Sequence, residues 1–174
     1  MKRPADISPT DHVRGSSLAA VTLIGYGDFA CPACALTYLT VKKIQKKMGF
    51  LLRYVFRSFP QPGEYGLSED CAEAAECASS QGKFWEMHDR IFENKGACDE
   101  LHLSRYATDL GLNVLQFRRE MREHVHLEKI RAGRREAVRS GISSAPTLFI
   151  NTERHHSSFG LSTLLSAVQA AAGG

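Results

Sequence analysis

Asp28-Phe29-Ala30-Cys31-Pro32-Ala33-Cys34 is the stretch from which the rest of this chain can be read. Before it, Val21-Thr22-Leu23-Ile24 is β-branched and aliphatic, as a buried strand requires. After it, Val41, Ile44 and Met48 recur at helical spacing while Lys42, Lys43, Lys46 and Lys47 turn outward, and Gly49 supplies a left-handed stop. Two cysteines therefore sit where a strand hands over to a helix N-terminus. The first helical turn offers unpaired N–H groups and the positive end of the macrodipole, and both stabilise a thiolate at Cys31. Cys31 is thus expected to be anionic and reachable by partners. Pro32 suits the first helical position, where its missing donor costs nothing. Cys34, one turn on, lies on the same face and within bridging reach. An outer nucleophilic thiol with a resolving thiol behind it is what disulfide exchange needs. Two other readings stand beside this one. Half of a zinc site is the first, although no second C-x-x-C or H-x-x-x-H follows at finger or ribbon spacing. A pair of inert buried thiols is the second.

At 174 residues the chain can bury one substantial core, and its 43% hydrophobic and 24% charged residues are those of an ordinary globular protein. A formal charge of +3 is too small to argue for nucleic acid or an anionic membrane, so neither is expected as a partner. Met1-Lys2-Arg3-Pro4-Ala5-Asp6-Ile7 is basic, but Asp6, Pro9, Asp11 and His12 follow where a signal peptide would carry an apolar run. The expectation is a cytoplasmic chain, or a periplasmic or secreted one if a leader has been trimmed. In a reducing compartment the remaining cysteines, Cys71, Cys77 and Cys98, read as small apolar fillers. Cys71 and Cys77, six apart, point to different sides of a helix and suit no bridge to each other.

Leu51 to Phe59 alternates, with Leu52, Tyr54 and Phe56 on one face and Arg53 and Arg57 on the other. Pro60-Gln61-Pro62-Gly63 ends that strand, completing a β-α-β unit with parallel strands. From Ser68 to Ser140 the pattern is helical. Ser68 reads as an N-cap, with Glu69 and Asp70 in the first turn. Cys71, Ala74, Ala75 and Ala78 form a small-residue stripe, and Gln81-Gly82 breaks it. Phe84, Met87 and Ile91 open another helix, in which Trp85 and His88 read as core or groove-lining residues. Leu103, Tyr106, Ala107 and Leu110 form a stripe closed by Gly111. Asn113 with Gln116 reads as a capping box opening a helix that buries Leu115 or Phe117. Arg118 through Arg139 interleaves arginines with Glu120, Glu123, Glu128 and Glu136, which describes a solvated face and not a nucleic-acid stripe. His124 and His126, two apart, do not meet on a helix, and no metal site is expected there. After Gly141, Ser143-Ser144-Ala145-Pro146-Thr147-Leu148-Phe149-Ile150-Asn151 is a short apolar strand introduced by proline, and Arg154 to Phe159 reads as a neighbouring edge strand. Leu161, Leu164, Leu165 and Val168 build a last helix.

This order resembles the DsbA-like branch of the thioredoxin-fold oxidoreductases. The resemblance runs from Asp11-His12-Val13-Arg14-Gly15 through Gly27-Asp28-Phe29-Ala30-Cys31-Pro32-Ala33-Cys34 and Gln81-Gly82-Lys83-Phe84-Trp85-Glu86-Met87-His88 to Ala145-Pro146-Thr147-Leu148-Phe149-Ile150-Asn151. It implies an α/β, thioredoxin-like fold interrupted by an all-helical subdomain. Residues 1–18 would be an N-terminal extension, 19–62 and 142–174 the core, and 63–141 the helical insertion.

The resemblance also implies chemistry: Cys31 as nucleophile, Cys34 as resolving thiol, and no cofactor beyond the thiols. Pro146 would be a cis proline facing the cysteines, with Pro32, Ala33, Ala145 and Pro146 meeting the substrate. The substrates would be protein or small-molecule thiols and disulfides, glutathione among them. Two departures stand out. The family's buried acid six positions before the first cysteine is Gly25 here, and the pair between the cysteines carries no histidine. A less stabilised thiolate means a less oxidising couple. A glutathione-dependent transferase or isomerase and a non-catalytic binding or chaperone module are the alternatives on the same fold.

Overall fold

The computed structural model describes residues 4–61, 63 and 67–173. Met1, Lys2, Arg3, Pro62 and Gly174, expected above as a basic start, part of a strand stop and a chain end, lie outside the described residues. Among the described residues, five strands and seven α-helices run in the order β1 (His12–Arg14), β2 (Val21–Gly27), α1 (Pro32–Met48), β3 (Leu52–Ser58), α2 (Ser68–Ser79), α3 (Phe84–Glu93), α4 (Glu100–Asp109), α5 (Val114–Arg122), α6 (Leu127–Arg139), β4 (Thr147–Ile150), β5 (Glu153–Arg154) and α7 (Leu161–Ala172). The sheet order is β1-β3-β2-β4-β5. β2 and β3 are parallel, as a strand–helix–strand crossover demands, whereas β4 runs antiparallel to β2.

All of β2 is buried, which explains its continuous apolar run. One face of the sheet gives Leu23, Tyr54 and Phe56 to a core shared with Val41 and Ile44 of α1, the small residues of α2, Ile91 of α3 and Leu164 of α7. The other gives Ile24, Tyr26, Val55 and Phe149 to a smaller core closed by Phe59, Ala137 of α6 and Ile142. Gly49, at φ +55, ends α1 as its sequence position requires. Cys71, Ala74, Ala75 and Ala78 are all fully buried, and α2 accordingly packs against α3, α5 and α6.

Several expectations need correction. Within the stretch expected as an N-terminal extension, His12–Arg14 form β1, which pairs antiparallel with β3, and Trp85 Nε1–H donates to Val13 O at 3.2 Å. The expected strand over Arg154 to Phe159 shrinks to Glu153–Arg154, because the hairpin turns at Asn151, whose φ is +54. Ser68 does not cap α2. It is the first helical residue, and its hydroxyl is drawn instead to Asp28 Oδ2 at 2.9 Å. Asn113 does cap α5, accepting from the Gln116 N–H, but the Gln116 side chain turns to Glu120, so the box is only half formed. Phe117 is buried and Leu115 is exposed.

The charged segment from Arg118 to Arg139 is two helices, broken where His124 adopts φ +51. Cys71 and Cys98 are no fillers either. They form a disulfide with Cα atoms 5.3 Å apart, because the connection after α3 folds back onto α2. Cys77 is free and buried.

Candidate active site

Cys31 is the N-cap of α1, in extended conformation, with Pro32 at the first helical position. Its Sγ accepts the Cys34 N–H at 3.4 Å, so one of the orphan donors of the first turn points at sulfur. The Cys31 thiol also lies 4.0 Å from Ala145 O, as donor. The Ala145–Pro146 peptide bond is cis, and it leads into β4. Cys31, Cys34, Ala145 and Pro146, far apart in the chain, are thereby brought together. Pro32 and Ala33 are exposed beside them. In one respect the geometry departs from expectation: Cys31 is only 2% exposed, not open to partners.

Cys34 sits one layer deeper. Its Sγ accepts the Asp28 N–H at 3.4 Å. Burial pushes the Cys34 thiol well above its ordinary range, and neighbouring Cys31 and Asp28 push the same way, against the Asp28 N–H. Cys34 is thus a protonated thiol at neutral pH and has to shed a proton before it can attack anything.

Asp28 is the residue whose role the sequence pattern did not announce. It is 1% exposed, and its carboxylate accepts from Ala30 N–H at 3.0 Å, Gln61 N–H at 2.9 Å and Ser68 Oγ at 2.9 Å. One side chain therefore ties the loop before Cys31 to the end of the β3 strand segment and to the start of α2. A charged residue closing a fully buried strand was the available signal, since such a group must be hydrogen-bonded to be tolerated.

Beneath Cys34 lies a cleft of about 20 Å³, room for a single water, whose lining includes Gly25, Cys34, Tyr54, Pro146 and Leu148. Gly25 is where the resemblance leads one to look for an acid, and the structure shows what fills the place. A Cβ at Gly25 would lie 2.8 Å from the Tyr54 hydroxyl and 3.3 Å from Leu148 Cδ2. Tyr54 is a buried phenol whose titration is pushed far up by burial, with the Cys34 charge adding to the effect. A side chain at position 25 and the Tyr54 hydroxyl compete for one volume.

Behind the site, Phe29, Phe56, Phe92 and Tyr38 enclose His88, with ring centroids 4.5–5.7 Å from it. Burial holds the imidazole below its ordinary pKa, against the opposing pull of Asp89. His88 is a core residue, as its helical spacing suggested. On the other flank, Gly96 at φ +73 packs against the backbone before Cys31, where a Cβ would stand 2.6 Å from Phe29 O. The Cys71–Cys98 disulfide anchors that segment two residues away.

A protein-family model described as Thioredoxin matches residues 7–170. Among curated proteins, a Na(+)/H(+) antiporter NhaA 1 from Salinispora arenicola is 37% identical over 164 residues, 94% of this chain and 25% of that protein. One of the same name from Mycolicibacterium gilvum is 34% identical over 173 residues, 98% of this chain and 28% of that protein. The chain thus spans about a quarter of the length of these relatives. Among solved structures, a thioredoxin-like oxidoreductase from Silicibacter pomeroyi superposes with a TM-score of 0.81 at 26% identity, covering 96% of this chain and 95% of that one. Wolbachia pipientis alpha-DsbA1 shares the fold with a TM-score of 0.84 at 20% identity, covering 96% and 93%. BdbD from Bacillus subtilis does so with a TM-score of 0.80 at 19% identity, covering 93% and 92%.

Proposed function

We propose, from the premise that this chain belongs to the thioredoxin family, that it is a thiol–disulfide oxidoreductase working through Cys31 and Cys34. The observation that carries the reading is the placement of Cys31 Sγ at the cap of α1, within reach of the Cys34 N–H and beside Ala145 O and the cis Pro146. The Cys34 N–H, one of the orphan donors of the helix N-terminus, points at that sulfur. The Cys31 thiolate attacks a substrate disulfide, forming a mixed disulfide and releasing one substrate thiolate. Cys34, once deprotonated, attacks Cys31 Sγ, closes the intramolecular disulfide and releases the second thiolate. The electrons pass from protein to substrate, and the reverse sequence oxidises a dithiol.

An extended substrate segment would lie along the exposed Ser143-Ser144 and Ala145 backbone as an added strand, with Pro32 and Ala33 beneath it. Protein or small-molecule disulfides fit this mode, glutathione among them. No imidazole stands between the cysteines, and the couple is therefore less oxidising than that of the strongly oxidising relatives. A glutathione equilibrium giving a potential near the roughly −120 mV of the strongest oxidant of that group would overturn this. The Cys71–Cys98 bridge favours an oxidising compartment over the cytoplasm. Among the described residues no helix is long and apolar enough to cross a membrane, so the antiport named for the longer relatives is not assigned to this segment.

Cys34→Ser is the test. Incubated with a disulfide-bonded peptide, the variant should accumulate a mixed disulfide on Cys31 while catalytic turnover collapses. Undiminished turnover would favour the single-nucleophile glutathione transferase. The 2% exposure of Cys31 is what a binding module would share, and absence of any adduct on Cys31 would decide for that reading.

A further inference from the structure

The third free thiol has nothing to do with the site above. Cys77 is fully buried on α2, and its Sγ, a carboxylate oxygen of Glu120 on α5 and a ring nitrogen of His126 after α5 lie within 4.8 Å of one another. The three come from separate elements, and their side chains converge.

Two of the three ligand candidates are held in place by hydrogen bonds. Ser80 Oγ donates to Glu120 Oε2 at 2.9 Å and Gln116 Nε2 to Oε1 at 2.8 Å, fixing the carboxylate plane. Glu73, 1% exposed, accepts the His126 backbone N–H at 3.3 Å and pairs with His124 Nδ1 at 2.8 Å, pinning the turn that presents the His126 ring. His124 and His126 thus diverge, as residues two apart should, yet His126 meets Glu120 at 3.2 Å. Among the described residues the ion-pair partners of the buried Glu73 and Glu120 are the imidazoles of His124 and His126 and not permanent cations, which makes the pocket hospitable to a divalent one.

We propose that Cys77, Glu120 and His126 form a three-ligand zinc site that clips α2 to α5 and to the turn leading into α6. Sulfur, nitrogen and oxygen donors together suit zinc, whose bonds of about 2.0–2.3 Å set ligand atoms roughly 3.5 Å apart around the ion. The His126–Glu120 pair, at 3.2 Å, is close to that separation, and the Cys77 sulfur lies within 4.8 Å of both. On binding, the Cys77 S–H bond breaks, the S–Zn bond forms and one proton passes to bulk water. Zinc takes the place of the His126 Nε2–Glu120 Oε2 hydrogen bond, and the imidazole keeps its single proton on Nδ1 when Nε2 binds the metal. The His126 side chain, 20% exposed, marks the side from which the ion enters and a fourth ligand, water, completes the tetrahedron.

The 174-residue chain with Cys31–Cys34 oxidised serves for the test, since Cys71–Cys98 is also closed and Cys77 is then the sole thiol. Cobalt(II) chloride is the spectroscopic probe. One equivalent should produce a sulfur-to-cobalt charge-transfer band with tetrahedral d–d absorption, and zinc should bleach both. Cys77→Ser should abolish the charge-transfer band. His126→Gln, at the partly exposed turn, should weaken zinc binding roughly tenfold or more and remove the zinc-induced rise in Tm. A wild-type titration without the band, a band that survives Cys77→Ser, or a His126→Gln protein that binds zinc as tightly as wild type would each overturn the site. None of these readouts depends on the activity proposed for Cys31 and Cys34.

Discussion

Gly25→Ala places a methyl group in space that Tyr54 already holds. The new Cβ would lie 2.8 Å from the phenol oxygen, closer than real Cβ atoms come to oxygen, and 3.3 Å from both Leu148 Cδ2 and Tyr54 Cε2. Tyr54 is buried in the main core among aromatic and aliphatic neighbours that oppose its displacement. Overpacking of this kind costs about 1–3 kcal/mol, and for a chain of this size each kcal/mol lowers Tm by about 2–4 °C.

Tyr54→Phe deletes the atom at 2.8 Å and leaves only the two contacts at 3.3 Å, which a shift of a few tenths of an ångström relieves. In that background the alanine should cost less than about 1 kcal/mol, giving a coupling energy of about 1–2 kcal/mol between neighbours in contact. The assay is a double-mutant cycle by urea unfolding, followed through Trp85, the single tryptophan. Equal costs of Gly25→Ala in the two backgrounds would refute the competition for space, and with it the account of why no acid stands beneath Cys34.

Three further outcomes follow from the geometry. Removing the Cys71–Cys98 bridge as a double alanine variant frees a loop of sequence separation 27 and should cost about 3–4 kcal/mol on the chain-entropy scale. Because Gly96 rests on Phe29 O, the glutathione equilibrium of Cys31–Cys34 should move with it, and an unchanged midpoint would show the flank to be uncoupled. Asp28→Ala strands Ser68 Oγ and the Gln61 and Ala30 N–H groups. An orphaned buried group such as Ser68 Oγ costs about 1–3 kcal/mol and the two part-buried N–H groups add to it, so urea unfolding should show a drop far beyond that of an ordinary surface change. Burial pushes Glu76 upward, but His12 and Lys129 outweigh it and hold its carboxyl below the ordinary 4.5. The folded state then binds this proton less tightly than the unfolded chain. The stabilisation is accordingly present above about pH 4.5 and lost as pH falls through the depressed folded value. Glu76→Gln should flatten that acid limb, and an unaltered limb in urea titrations between pH 3 and 6 would refute the assignment.

What could be read from the residues in order was whatever depends on near neighbours. The handover from Val21-Thr22-Leu23-Ile24 to Cys31, the proline at the first helical position, the stop at Gly49 and the stripe over Cys71, Ala74, Ala75 and Ala78 are local facts, and a local pattern carries them. Phe117 against Leu115 was undecidable because both fit one turn of α5 until the position of α2 is known. β1 escaped notice for a related reason: three residues have no period, and only pairing with β3 makes them a strand. Ser68 is the sharper case, for its type and position favour capping, and a buried carboxylate 40 residues upstream outbids the local donors.

The same limit governs the chemistry. Helical phase says which side of an element a group occupies, whereas reactivity is set by what arrives from elsewhere. Tyr54 against Gly25, Gly96 against Phe29 and Glu120 against Cys77 are each encounters between elements distant in the chain. Cys31 shows the consequence most plainly. Its position at a helix mouth predicts both an anion and an open approach, and these have separate origins. The donors belong to α1 itself and came with the motif. Access depends on the segment before β4, which brings Ala145 O to 4.0 Å from the sulfur, while Pro32 and Ala33 beside it stay exposed.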